Sequence, residues 1–149
     1  MGKKGEQCYF QVDIPKDTDR IIAVQAGVTG LQLPHGMALD DIAGKGCAGS
    51  MKVQAENAGN LCYATDVYTG FSLLNKVTPG FVAGMSNAAF INWMVAPYAG
   101  NSYQEPDTIL IKDCLMLYGC YTDELGKQMD KNLSYIVGLY LWTEKIAKQ

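Results

Sequence analysis

Few side chains in this 149-residue sequence are of a kind that does chemistry, and their spacing restricts what they can do. His35 is the single histidine, so any Ser-His-Asp or Cys-His nucleophilic system has to use it. Its partner would be Ser86, within Gly84-Met85-Ser86-Asn87-Ala88, or Cys47. The serine lacks the closing glycine of a nucleophile elbow and the strand–turn–helix setting that exposes its hydroxyl. Leu33-Pro34-His35-Gly36 reads as a turn instead. Gly44-Lys45-Gly46-Cys47-Ala48-Gly49 spells G-x-G-x-x-G, which holds a pyrophosphate only between a strand and a helix N-terminus. Here Ser50 to Asn57 alternates like a strand, and the G-K-[ST] ending of a P-loop is missing. The segment is a glycine-rich loop.

Metal chemistry fares no better. One histidine rules out a His-rich site, and Cys8, Cys47, Cys62, Cys114 and Cys120 contain no C-x-x-C pair. An odd number of unpaired cysteines fits reduced thiols in a cytoplasmic setting, packed as small buried hydrophobes. The carboxylates at Asp17/Asp19, Asp40/Asp41 and Asp123/Glu124 fall in polar turns without EF-hand spacing, where Asp bonds its own backbone. The expectation is a protein that is not an enzyme and has no cofactor or metal.

What remains is contact surface. Phe81, Phe90, Trp93, Tyr98 and Tyr103 gather in the uncharged run from Val77 to Gln104. Tyr and Trp join a large area to a polar handle, which suits interfaces and sugar platforms. Phe90 and Trp93 serve equally well as core, whereas Tyr98 and Tyr103 sit in a Gly/Asn/Pro loop and point to an external contact. The run is not a membrane span. Gly84, Ser86, Asn87, Asn92 and Pro97 interrupt it, and a spanning helix takes about 20 predominantly apolar residues. The N-terminus is polar from its start and has no apolar stretch of a secretory signal. A net charge of −3 with Arg20 as the single arginine argues against nucleic-acid binding.

The elements that position these residues follow a period of two. Cys8, Phe10, Val12 and Ile14 alternate with polar neighbours, and after a turn at Pro15–Asp19 the pattern resumes over Arg20–Val28, suggesting a hairpin. A helical turn over Met37–Ile42 interrupts an irregular region. Ser50–Asn57 and Leu61–Thr69 form a second hairpin about Asn57-Ala58-Gly59-Asn60, and Phe71–Val77 continues it. Phe90–Val95 fits strand or helix, Thr108–Tyr121 is strand-rich, and Thr122–Asn132 is a polar turn. Ser134–Glu144 carries Tyr135, Val137, Leu139 and Leu141 on one side and Ile136, Tyr140 and Trp142 on the other. Apolar residues on both sides demand cover on both. With 48% hydrophobic residues, 18% charged and sixteen glycines, the chain reads as one all-β domain behind a short polar N-terminal tail: a β-sandwich or jelly roll of about eight strands, with one short helix at most.

The stretches Thr108–Cys114, Tyr118–Gly126 and Ser134–Lys145 resemble strand–turn–strand segments of small β-rich virion proteins of tailed bacteriophages. The resemblance covers about a quarter of the chain and implies a place in a head, neck or tail assembly. Combined with the doubly apolar last strand, it sets the expectation of a structural protein. Such a protein would assemble in the cytoplasm with copies of itself, and with other structural proteins of a virion. Its contacts would be Phe81, Phe90, Trp93, Tyr98, Tyr103, Tyr140 and Trp142. The alternative is a carbohydrate- or ligand-binding module using Trp93, Tyr98 and Tyr103.

Overall fold

The structure, a computed structural model, describes residues 2–32, 36, 46–56, 61–68, 82–86, 88–95, 109–111 and 114–145. Within these the chain forms nine strands and one short helix. The strands are β1 (Gln7–Asp13), β2 (Arg20–Gln32), β3 (Cys47–Ala55), β4 (Leu61–Tyr68), β5 (Val82–Met85), β6 (Ala89–Met94), β7 (Ile109–Leu110), β8 (Met116–Asp123) and β9 (Ser134–Glu144). The helix, α1 (Leu125–Met129), joins β8 to β9.

The strands make two layers of a β-sandwich, as the alternating pattern predicts. The first layer is β1-β8-β3-β4, antiparallel throughout. In the second, β2 lies between β9 on one edge and the end-to-end pair β5 and β6 on the other, and β7 runs parallel to β6. Because β5 and β6 share one lane, nine strands occupy eight positions. A single pairing, Tyr68 with Met85, links the layers along the hydrogen-bonded path.

Between the layers lies the core. Met51, Val53, Leu117 and Tyr121 face inward from the first sheet, and Ile21, Val24, Val28 and Trp93 from the second. Gly119 leaves room for Phe10 to lie across β8. A Cβ there would come within 2.7 Å of Phe10 Cε1 and closer still to two other ring carbons. The β5–β6 break is bridged by Ser86, which is buried and supplies what a continuous strand would. Its backbone N–H donates to the Ala26 carbonyl at 3.0 Å, and its Oγ accepts from the Ala26 N–H at 3.0 Å.

Three expectations are corrected. The segments before and after Pro15–Asp19 do not form a hairpin: β1 pairs with β8, and β2 belongs to the opposite sheet. Both edges of β2 are taken by β9 and β5/β6, so no edge is left for β1. Second, the polar stretch 122–132 is a turn only in part, since α1 buries Leu125 and ends at Asp130 with φ 53°. Third, the cysteines are not uniformly buried. Cys114 is, while Cys8, Cys47 and Cys120 are partly exposed. Phe90–Val95 resolves as strand. The Met37–Ile42 turn and the Phe71–Val77 continuation fall outside the described residues. Among those described, no helix is long and apolar enough to cross a membrane.

Candidate contact faces and a buried polar cluster

Both sheets turn one face away from the core, and the two faces differ in chemistry. On the second sheet, register sets the outward residues in rows. Phe90 on β6 stands opposite Ala23 on β2, which stands opposite Trp142 on β9. The next rows along β2 and β9 are Gln25–Tyr140, Gly27–Gly138 and Thr29–Ile136. Phe90 is 91% exposed, Ile136 67%, Trp142 45% and Tyr140 42%. Ala23, by contrast, is covered. Neighbouring strands lie about 4.8 Å apart, so Phe90 and Trp142 stand roughly 10 Å from each other across a floor of alanine. That is a slot between two aromatic walls. Tyr140 lies against Gly138, its ring 3.7–4.0 Å from where a Cβ would be. Between residues 21–32, 82–95 and 134–143 the sequence has no charged side chain. The face ends at an ion pair, Arg20 Nη2 to Glu144 Oε1 at 2.7 Å, which ties β2 to β9.

The residues anticipated as contacts therefore separate. Phe90, Tyr140 and Trp142 share this one face. Trp93, two positions from being Phe90's neighbour on the same pleat side, is 2% exposed and belongs to the core. The β6 strand places Phe90 opposite Ala23 but Trp93 opposite Ile21, with the β2 register shifted between those pairs. That irregularity turns the two aromatics to opposite sides of the sheet. Phe81, Tyr98 and Tyr103 lie outside the described residues. Ile136 was noted in the sequence for its apolar side and not as a contact.

The outward face of the first sheet is polar. Its rows are Gln7–Thr122–Ser50, Tyr9–Cys120–Lys52 and Gln11–Tyr118–Gln54 across β1, β8 and β3. The short Cys120 between Tyr9 and Lys52 leaves a hollow of about 340 Å³, walled by Tyr9 and Tyr118.

A third cluster is internal. Asp123, at the end of β8, is buried and accepts three hydrogen bonds: from the Gly5 N–H at 2.8 Å, from the Gly126 N–H at 3.1 Å, and from the Tyr135 hydroxyl. The Tyr135 oxygen lies 3.2 Å from that of Tyr121, and the two rings meet edge to face at 5.9 Å. Burial, together with the nearby carboxylate, pushes both phenols well above the usual tyrosine range. The cluster clasps the N-terminal segment to the start of α1 and of β9. Lys4 reinforces it through its N–H to Asn132 Oδ1 at 3.1 Å and its ammonium to Asp130. The polar N-terminal residues are thus tied down.

Neither nucleophile considered from the sequence is set up to attack. Ser86 Oγ is spent on the Ala26 backbone and lies 3.4 Å from the Tyr63 hydroxyl. The Cys47 thiol donates to the Gly49 carbonyl at 3.2 Å, and burial and the Asp66 carboxylate push its pKa up. Thiolate is the reactive form, and these surroundings disfavour it. His35 is outside the described residues. The glycine-rich loop leads directly into strand β3 and not into a helix. Among the described residues no three His, Cys, Asp or Glu side chains gather in a way that could hold a metal ion. No family model matches the chain, and no significant match to a curated protein or to a solved structure is found.

Proposed function

We propose that this protein is a structural subunit that assembles with copies of itself through the outward face of its second sheet. The observation that carries this is the contiguous exposure of Phe90, Tyr140, Trp142 and Ile136 on one uncharged surface. Single exposed apolar residues are normal, but a contiguous patch marks a surface that another body covers. Large aromatics at the centre of such a patch are the side chains that dominate association energies.

A second copy fits this face better than a charged partner, because a surface with no charge does not repel its own image. It also offers both halves of a self-complementary contact: the recess over Ala23 and, six residues along β2, the projecting Ile136 opposite Thr29. At about 3.4 Å per residue these stand roughly 20 Å apart, so a two-fold axis between them would place each Ile136 near the partner's slot. In addition, β9 is an edge strand of eleven residues that pairs only with β2 among the described residues. It carries none of the lysine or proline with which edge strands usually discourage further pairing. The resemblance of the C-terminal third to phage virion proteins makes a head, neck or tail particle the setting for this assembly.

Light scattering coupled to size exclusion, at micromolar protein, tests the reading. The wild type elutes as a dimer or larger species, and Phe90→Ser with Trp142→Ser shifts it to monomer without loss of fold, since both side chains are exposed in the single chain. A wild type that stays monomeric up to millimolar concentration refutes it.

The carbohydrate-binding alternative, as framed on Trp93, Tyr98 and Tyr103, loses one of its three residues to the core.

A further inference from the structure

The hollow on the first sheet is independent of the apolar face: it lies on the opposite side of the sandwich. Its shape follows from register. Tyr9, Cys120 and Lys52 stand side by side on β1, β8 and β3, and one row further on come Tyr118 and Gln54. Two long rings and a long amine surround a short thiol, so the centre is low and the rim is high. At about 340 Å³ the hollow is near the lower end of the roughly 300–1,000 Å³ typical of small-molecule sites.

The lining has a consistent chemistry. Tyr9 is 75% exposed and Tyr118 37%, so neither ring is needed to fill the core. A tyrosine ring offers a flat apolar face with a hydroxyl at its edge. The Tyr9 hydroxyl donates to Gln7 Oε1 at 3.2 Å, which leaves the Gln7 amide nitrogen as a donor. Gln54 contributes a second amide. Lys52 is the one charged residue of the lining, and among the described residues its ammonium has no carboxylate partner within ion-pair distance. The nearest acid in register, Asp66, stands opposite Ser50 and not opposite Lys52. Flat apolar rings, amide donors and one unneutralised cation together match a molecule with an apolar ring face, several hydroxyls and one negative charge.

We infer that this hollow binds a short acidic saccharide, with Tyr9 and Tyr118 stacking on sugar rings, Gln7 and Gln54 bonding hydroxyls, and Lys52 taking the carboxylate. The site is open and shallow, so a single copy binds weakly, with Kd on the order of 0.1–1 mM. If copies assemble through the opposite face, each assembly presents several such sites outward, and a polymeric glycan is held far more tightly by their combined action.

The full chain, isotopically labelled, is titrated with three acidic probes: a galacturonic-acid trisaccharide, a hyaluronan tetrasaccharide and sialyllactose. Neutral galactotriose and lactose serve as controls. At least one acidic probe shifts the amide resonances of β1, β3 and β8 and binds tenfold or more tighter than its neutral counterpart at low salt. Lys52→Gln abolishes that preference, and Tyr118→Ala weakens binding at least tenfold; circular dichroism melting confirms that both variants fold. Silence from all three acidic probes up to 10 mM overturns the inference. So do shifts confined to the β2–β9 face, or equal affinity for acidic and neutral sugars. None of these outcomes depends on the oligomeric state, so a failure here is separable from a failure of the assembly reading.

Discussion

Replacing Asp123 with alanine removes the acceptor of three hydrogen bonds at once. Two of the donors, the Gly126 N–H and the Tyr135 hydroxyl, are buried; the third, the Gly5 N–H, lies at the exposed N-terminus and recovers a bond to water. A buried donor left without a partner costs about 1–3 kcal/mol. Two of them give about 2–5 kcal/mol, and relief from burying a carboxylate returns part of it. The expected loss is about 3 kcal/mol, a large share of the 5–15 kcal/mol that holds a typical domain folded. In urea, with m near 2 kcal/mol/M, the midpoint falls by roughly 1.5 M. Fluorescence of the buried Trp93 follows the transition. Tyr135→Phe, which leaves the carboxylate its two backbone donors, costs about 1 kcal/mol by the same reasoning. A midpoint for Asp123→Ala within 0.5 M of wild type would show that the carboxylate does not organise this corner.

Two further outcomes follow from the packing. Gly119→Ala drives a methyl group into the Phe10 ring and costs about 1–3 kcal/mol, and a second change, Phe10→Leu, restores part of the loss; additive losses in the double variant contradict the contact. Alkaline stability tests the tyrosine pair. Tyr121 and Tyr135 keep their protons in the folded state, whereas unfolded tyrosine ionises near pH 10. Their contribution is complete below about pH 10 and declines as pH rises beyond it, by about 1.4 kcal/mol per pH unit for each residue. Stability measured between pH 9 and 11.5 should fall less steeply in Tyr135→Phe than in wild type, and equal slopes count against the mechanism.

Alternation along single strands was enough to find β3, β4 and β9 and the sandwich class, because each of these strands buries one side. It also told correctly that Ile136, Tyr140 and Trp142 share a side. It failed where the decisive fact was which strand lies beside which. The turn at Pro15–Asp19 looks the same whether the chain folds back in one sheet or crosses to the other. Phe90 and Trp93 are separated by a register shift in the β2–β6 pairing, which no pattern within β6 reveals. The hollow on the first sheet was invisible for a related reason. Tyr9, Lys52 and Tyr118 come from three strands, and only their pairing brings them together. A signal was present: Tyr9 falls among Gln7, Gln11 and Asp13 on the polar side of β1. In β8, Leu117 is buried while Leu115 and Tyr118 are exposed, so that apolar run is only partly core.

The pairing of β1 with β8 and of β2 with β9 has a consequence for how the molecule is made. Phe10 waits for Gly119, and Val24 for Leu141, so the first two strands leave the ribosome with nothing to bind. At about 5–20 residues per second that interval lasts several seconds, during which β2, apolar along most of its length, is bare. Folding has to begin in the local β3–β4 hairpin and finish only when the final strand arrives. A fragment that stops short of β9 leaves β2 without its long partner, and such a product is destined for chaperones or for aggregates.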